Sequence, residues 1–136
     1  MKILIDTNII LDAYLSREPW YEVAEKIILA CAEDKIAGYI SASSVTDIYY
    51  FLNKELQNTD QAKQALLKLI TILGVLDVTG TDCKKAFELK MPDYEDALLA
   101  CCGKRHKVDF IITRNLNHFK GSPVKVASPD AFIKQL

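Results

Sequence analysis

Two hydrophobic patterns alternate along the chain. Short unbroken apolar runs are followed by longer stretches in which apolar side chains recur at helical spacing. Ile3-Leu4-Ile5 ends on Asp6, which reads as a buried strand over Lys2–Asp6 followed by a turn. Thr7–Leu15 reads as a short helix. Glu18–Glu33 reads as a longer one, with Trp20, Val23, Ile27, Ile28 and Cys31 at helical spacing. Lys35–Ser41 is a second strand. Ser43 or Ser44 is placed to cap the next helix, which carries Val45, Ile48, Tyr49 and Leu52 on one face. Asp60–Leu73 is helical through Ala62, Leu66, Leu69 and Ile70, with Gly74 placed to end it. A strand over Val75–Val78 and a helix over Thr81–Lys90 follow. After a break at Pro92, Tyr94–Lys107 is helical with Asp93 near its cap. Asp109–Thr113 and Lys125–Ala127 close the set of strands, and Pro129–Gln135 is the last helix.

Strands alternating with helices through short links argue an α/β fold with a mainly parallel sheet, in one domain over residues 1–136. Composition agrees. Half the residues are hydrophobic, and only five Gly and four Pro interrupt them, which excludes a disordered or low-complexity chain. No apolar run reaches the roughly 18 residues that span a bilayer. An acid at position six argues against a secretory signal, so the expected address is cytoplasmic. Seventeen Lys and Arg against 18 Asp and Glu leave partners undecided. Cys31, Cys83, Cys101 and Cys102 form no C-x-x-C pair, and with two His they argue against a structural zinc site; reduced thiols are expected.

In parallel α/β sheets, ligands bind beyond the carboxyl ends of the strands. Those ends carry Asp6-Thr7-Asn8, Ser41–Ser44 with Asp47 one turn on, and Thr113-Arg114-Asn115, while Asp93 and Asp96 open the helix before the last of these. Carboxylates from three distant segments therefore converge. Such groups repel one another unless a cation or protons neutralise them, and oxygen donors suit Mg²⁺ or Mn²⁺. A site of this kind activates water against a phosphodiester. Asp12, one turn beyond Asp6, and Glu95 read as solvated. Arg114 is open to either a phosphate contact or a surface ion pair. Lys104-Arg105-His106-Lys107 is open to either an RNA track or a charge-favoured helix end. Of the consecutive Tyr49, Tyr50 and Phe51, one is free for base stacking.

At these residues the chain resembles the PIN-domain ribonucleases, which include the VapC-type toxins of toxin–antitoxin pairs. ILIDTNIILD, SASSVTD, DYEDA and ITRNLNHF look like the family's four motifs, in order. The resemblance implies a five-stranded parallel sheet with helices on both faces and Mg²⁺- or Mn²⁺-dependent cleavage of RNA. It also implies an antitoxin partner and a homodimer. Asp6, Asp47 and Asp96 match the core acids and would be the metal ligands, with Asp93 as an additional acid. Asn8, Thr113, Arg114 and Asn115 would bind substrate or support the site. Where many members carry a further acid, this chain has Asn115 and His118, which leaves a second metal in doubt and keeps open a PIN scaffold that binds RNA or protein without cutting. His118 and Phe119 are candidates for a base contact, Phe119 more readily for the core. An α/β metal phosphatase is disfavoured, since no second acid stands two residues after Asp6.

Overall fold

A computed structural model describes residues 1–136. Five parallel strands form one sheet: β1 (Lys2–Ile5), β2 (Ala37–Ser41), β3 (Gly74–Leu76), β4 (Phe110–Ile112) and β5 (Val126–Ala127). Their spatial order is β3-β2-β1-β4-β5. The chain thus builds outward from β1 to one edge and then crosses back to lay β4 on the other side of β1. Helices α1 (Thr7–Tyr14) and α2 (Tyr21–Ala32) link β1 to β2, and α3 (Ala42–Leu56) and α4 (Thr59–Ile72) link β2 to β3. The return passes through α5 (Gly80–Lys85), a 3₁₀ turn at Ala86–Glu88 and α6 (Tyr94–Arg105). A second 3₁₀ turn, Leu116–Phe119, and α7 (Pro129–Ile133) complete the chain.

Side chains alternate across each strand, so β1 serves both faces of the sheet. Ile3 and Ile5 pack with Ile9, Ile27, Ile48, Leu69 and Phe132 from α1–α4 and α7. Leu4 turns the other way onto Leu99, Ala100 and Cys102 of α6. All three β1 residues are fully buried, as expected of a central parallel strand.

Several boundaries differ from those read in the sequence. α3 begins at Ala42 with Ser41 as its cap residue, so Ser43 and Ser44 lie inside its first turn, where both hydroxyls bond Ser41 Oγ (3.0 and 2.7 Å). Gly74 opens β3 instead of closing α4. It lies opposite Tyr39 in the ladder, where a side chain would collide with the Tyr39 ring. All four cysteines are free thiols. No helix is long and apolar enough to cross a membrane.

The two middle residues of the basic run at the end of α6, Arg105 and His106, are engaged in structural contacts. Arg105 donates to both carboxylate oxygens of buried Asp82 (3.0–3.1 Å) and to the Asp77 carbonyl at 2.6 Å. His106 also reaches the Asp77 carbonyl, at 3.0 Å. Asp82 in turn closes a capping box with Thr79 at the start of α5. Burial works to raise its pKa, but Arg105 and Thr79 together hold it below the usual carboxylate value. Asp82→Ala is expected to cost about 2–4 kcal/mol in denaturant unfolding. Because this carboxyl is held low, its stabilising effect is present above the ordinary value of 3.8 and fades as pH falls below it. The acid limb of the wild-type stability curve should therefore flatten in the variant.

Candidate metal-dependent active site

The crossover places the ends of β1 and β4 side by side. Ile5 pairs with Ile112, and the ladder runs one step further through Asp6 N–H to the Ile112 carbonyl (3.0 Å). The next side chains are Asp6 and Thr113. Thr113, fully buried, donates its hydroxyl to Asp6 Oδ2 at 2.8 Å and accepts the Asn115 amide at 3.0 Å. Asp6 is also the N-cap of α1, its Oδ1 accepting from Thr7 N–H at 2.8 Å. Capping and site geometry are one arrangement here: Oδ1 takes the backbone donor and keeps a lone pair for the cleft, while Oδ2 takes Thr113 and, weakly, Asn8.

The second contribution comes from α6, which starts at the same edge of the sheet. Asp93 is its N-cap, accepting the Asp96 amide at 3.0 Å. Asp96, in the first turn, receives His118 Nδ1 on Oδ2 at 3.2 Å. Two adjoining clefts share Asp6, Thr7, Phe51, Glu95 and Asp96 in their walls. One, about 300 Å³, is completed by Ser43, Ser44 and Asp47 from α3. The other, about 340 Å³, is completed by Asn8, Arg17, Asp93, Asn115 and His118 among others.

The electrostatics carry the signature of crowded acids. Burial raises the pKa of Asp6, the bonds from Thr113 and Thr7 oppose it, and the charge of Asp93 adds to it. Burial, then the charges of Asp6 and Asp93, push Asp96 up to about 6, with His118 opposing. Asn8 donates weakly to Asp6 Oδ2 (3.4 Å), and its Oδ1 is buried with no partner. A buried oxygen without a donor, beside carboxylates with raised pKa values, fits a hydrated divalent cation by donor chemistry. As the side chains stand, no group of three or more His, Cys, Asp or Glu is arranged to enclose an ion. Asp47 is exposed on the α3 wall.

The structure overturns one reading from the sequence and adds detail to others. Asp12 is not solvated: it is fully buried and holds Arg114 through two bonds, Nε–Oδ2 at 2.7 Å and Nη2–Oδ1 at 3.1 Å. Arg114, also 3.8 Å above the Trp20 ring, is thereby taken out of phosphate contact and instead braces the β4 end against α1. Glu95, though exposed, borders both clefts. Lys104–Lys107 stands at the far end of α6 from Asp96, about 12–17 Å along the helix. Phe119 is core, at 2% exposure. Of the aromatic triplet, Tyr50 is exposed and Phe51 walls both clefts.

Arg17 carried no signal in the sequence, and His118, read there only as a missing acid or a base contact, lies against Asp96. Arg17 follows Ser16, whose left-handed backbone (φ 51°) ends α1 and turns the chain back over the cleft. His118 reaches Asp96 only because Leu116–Phe119 coils as a 3₁₀ turn. A raised carboxyl pKa means that the fold binds the proton more tightly than the unfolded chain does. Metal-free protein should therefore lose stability as pH rises from the ordinary value of 3.8 through about 6. Asp96→Asn should abolish most of that decline, leaving the variant a few degrees more stable in thermal melts at neutral pH, on the order of 1–2 kcal/mol. An unchanged pH profile would contradict the crowding of Asp6, Asp93 and Asp96.

Comparison with known proteins places this arrangement. No curated protein matches the sequence. Solved structures match it closely in shape. VapBC-1 from nontypeable Haemophilus influenzae superposes with a TM-score of 0.71 at 21% identity, covering 96% of this chain and 99% of that one. VapBC2 from Rickettsia felis, bound to a promoter DNA fragment, gives 0.70 at 19% identity, covering 94% and 98%. VapC20 from Mycobacterium tuberculosis, described as a toxin cleaving the sarcin-ricin loop, gives 0.65 at 16% identity, covering 80% and 86%. At these identities the likeness is one of fold. The model of the PIN domain matches residues 2–117, from the first strand into the turn that opens at Leu116. The chain belongs to the PIN-domain family.

Proposed function

We propose that this protein is an endoribonuclease dependent on Mg²⁺ or Mn²⁺, and the toxin of a toxin–antitoxin pair. The observation that carries the reading is the pairing of Asp6, fixed by Thr113, with Asp96 across the carboxyl edge of the sheet, both with pKa values raised. Asp6, Asp96 and Asp47 are the residues we assign as ligands. When bound, the ion would polarise the phosphodiester and lower the pKa of the attacking water.

The remaining work falls to side chains already in the clefts. Thr113 and Thr7 N–H hold Asp6 in one orientation, so that its free lone pairs need no reorganisation. Asp93 and Asp47 are the acids available to orient water and take its proton. Arg17, not Arg114, is the guanidinium able to reach a phosphate from the cleft wall. Asn8 Oδ1 is an acceptor for a bound water, and the exposed Asn115 amide side chain is a neutral partner for water or the sugar–phosphate backbone. Phe51 offers a flat apolar wall to an unstacked base, which favours single-stranded RNA. In-line displacement would leave a 5′-phosphate and a 3′-hydroxyl.

The toxin reading is supported by the similar structures: several are toxin–antitoxin complexes, some of them bound to DNA. An antitoxin and a second copy of the chain are the protein partners it expects. A second reading, a PIN scaffold that binds without cutting, is favoured by the lack of three side chains set to enclose an ion and by Asn115 at a position often acidic in the family.

Asp6→Ala and Asp96→Ala should each abolish metal-dependent cleavage of RNA while leaving the circular dichroism spectrum intact; cleavage that persists in either variant defeats the assignment. Calorimetric titration should show Mn²⁺ binding to wild type and none to Asp6→Ala, whereas no binding to wild type selects the non-cutting scaffold. Arg17→Ala should lower cleavage about tenfold to a hundredfold, the worth of one charge-assisted bond, with Mn²⁺ binding unchanged.

A further inference from the structure

We propose that His118 is a nitrogen ligand of the metal site and makes it prefer Mn²⁺ over Mg²⁺. The inference rests on the metal-nuclease reading above and extends it to the choice of ion. Its first support is position. His118 lies in the wall of the cleft that also holds Asp6, Asp93, Asp96 and Asn115. Its ring is half-exposed (side chain 52%), while the Asp96 side chain it touches is largely covered (14%). The imidazole therefore lies over the carboxylate from the solvent side, where an entering ion must pass.

Spacing is the second support. His118 Nδ1 and Asp96 Oδ2 stand 3.2 Å apart. The two donor atoms are near enough to share one ion once the proton between them is released and the imidazole nitrogen presents its lone pair to the cleft. In the metal-free protein the same hydrogen bond keeps Asp96 oriented.

Chemistry supplies the selectivity. Mg²⁺ is a small hard ion that keeps oxygen ligands and water, and it gains little from imidazole. First-row transition ions accept nitrogen more readily, and Mn²⁺, the weakest binder of that series, also remains at home among carboxylates. Exchanging one carboxylate for an imidazole also removes a negative charge from a cleft whose acids already repel one another. The lost charge weakens both ions, while the nitrogen donor penalises Mg²⁺ more than Mn²⁺. The 3₁₀ turn at Leu116–Phe119 fixes the ring, because Phe119, the next residue, is anchored in the core at 2% exposure.

The test uses the full chain with Mn²⁺ and Mg²⁺ as the probes, and it has two readouts that do not depend on cleavage. Pulsed electron paramagnetic resonance of bound Mn²⁺ should show coupling to a directly bonded ¹⁴N in wild type, absent in His118→Ala and His118→Asp. Calorimetry should show Mn²⁺ binding weakened about tenfold or more in His118→Ala with a smaller change for Mg²⁺, and a ratio shifted toward Mg²⁺ in His118→Asp. His118→Asp restores an all-oxygen set and controls for general damage, since it should still bind metal. Mn²⁺ bound to wild type without nitrogen coupling, or an Mn²⁺/Mg²⁺ ratio unchanged in His118→Asp, overturns the role of His118 and leaves the nuclease reading standing. Failure of wild type to bind either ion overturns both.

Discussion

The site depends on one constraint: β4 must pair with β1 in the register that sets Ile112 against Ile5. Only then does the Thr113 hydroxyl, separated from Asp6 by more than a hundred residues, meet its carboxylate at 2.8 Å. A one-residue slip would turn Thr113 to the opposite face of the sheet. The register is protected by the apolar content of both strands and by the Asp12–Arg114 pair. That pair ties the residue after Thr113 to α1, the helix that Asp6 itself caps. The same segment is held twice, once by the ladder and once by a buried ion pair. The pair's cost in desolvation is repaid in position more than in stability.

The second element is the convergence of helix starts. α1 begins at Asp6 and α6 at Asp93, so two helix N-termini point at the same cleft. Their unsatisfied N–H groups take carboxylates as caps, and their dipoles favour negative charge. Acids that repel one another in the cleft are thus each individually favoured by the backbone beneath them. This is how the fold holds several carboxylates together without neutralising them. It also explains why the sequence reading of Asp93 as either cap or site acid posed a false choice. The carboxylate caps with Oδ1 while its charge is felt at both Asp6 and Asp96.

Much of this was legible in the sequence, and the reasons are local. Apolar runs such as Ile3-Leu4-Ile5 announced strands because a central parallel strand is buried on both faces. The cap at Asp93 followed from its place after Pro92 and before a helical run. The acids Asp6, Asp47, Asp93 and Asp96 could be placed at one edge because α/β topology sends strand ends there. What was not legible depends on tertiary geometry. Asp12 looked like a solvated residue because nothing nearby in sequence reveals an arginine 102 positions away. Arg17 went unread, and Arg114 stayed open between phosphate and ion pair, for the same reason. Ser16 turns the first over the cleft, while Asp12 and Trp20 hold the second away from it. The basic run at Lys104–Lys107 was ambiguous because a helix end and a nucleic-acid track have the same composition. Only the direction of α6, running from the acids to the opposite edge, separates them.

The replacement of further acids by Asn115 and His118 can be understood from charge alone. Asp96 is already pushed up to about 6 by burial and by Asp6 and Asp93. Another carboxylate in so confined a cleft would raise these values again, and near neutrality the acids would hold protons that an entering cation must displace. A neutral amide at Asn115 leaves the oxygen donor and omits the charge. An imidazole at His118 opposes the rise at Asp96 and, more weakly, at Asp6, although both stay above the ordinary carboxylate value. The two replacements therefore act in one direction. They give up some attraction for a doubly charged ion and in return leave the remaining carboxylates ready to receive it. On the proposed reading such a site would suit one tightly held cation more than a pair, because a second cation would need the charge that Asn115 and His118 withhold.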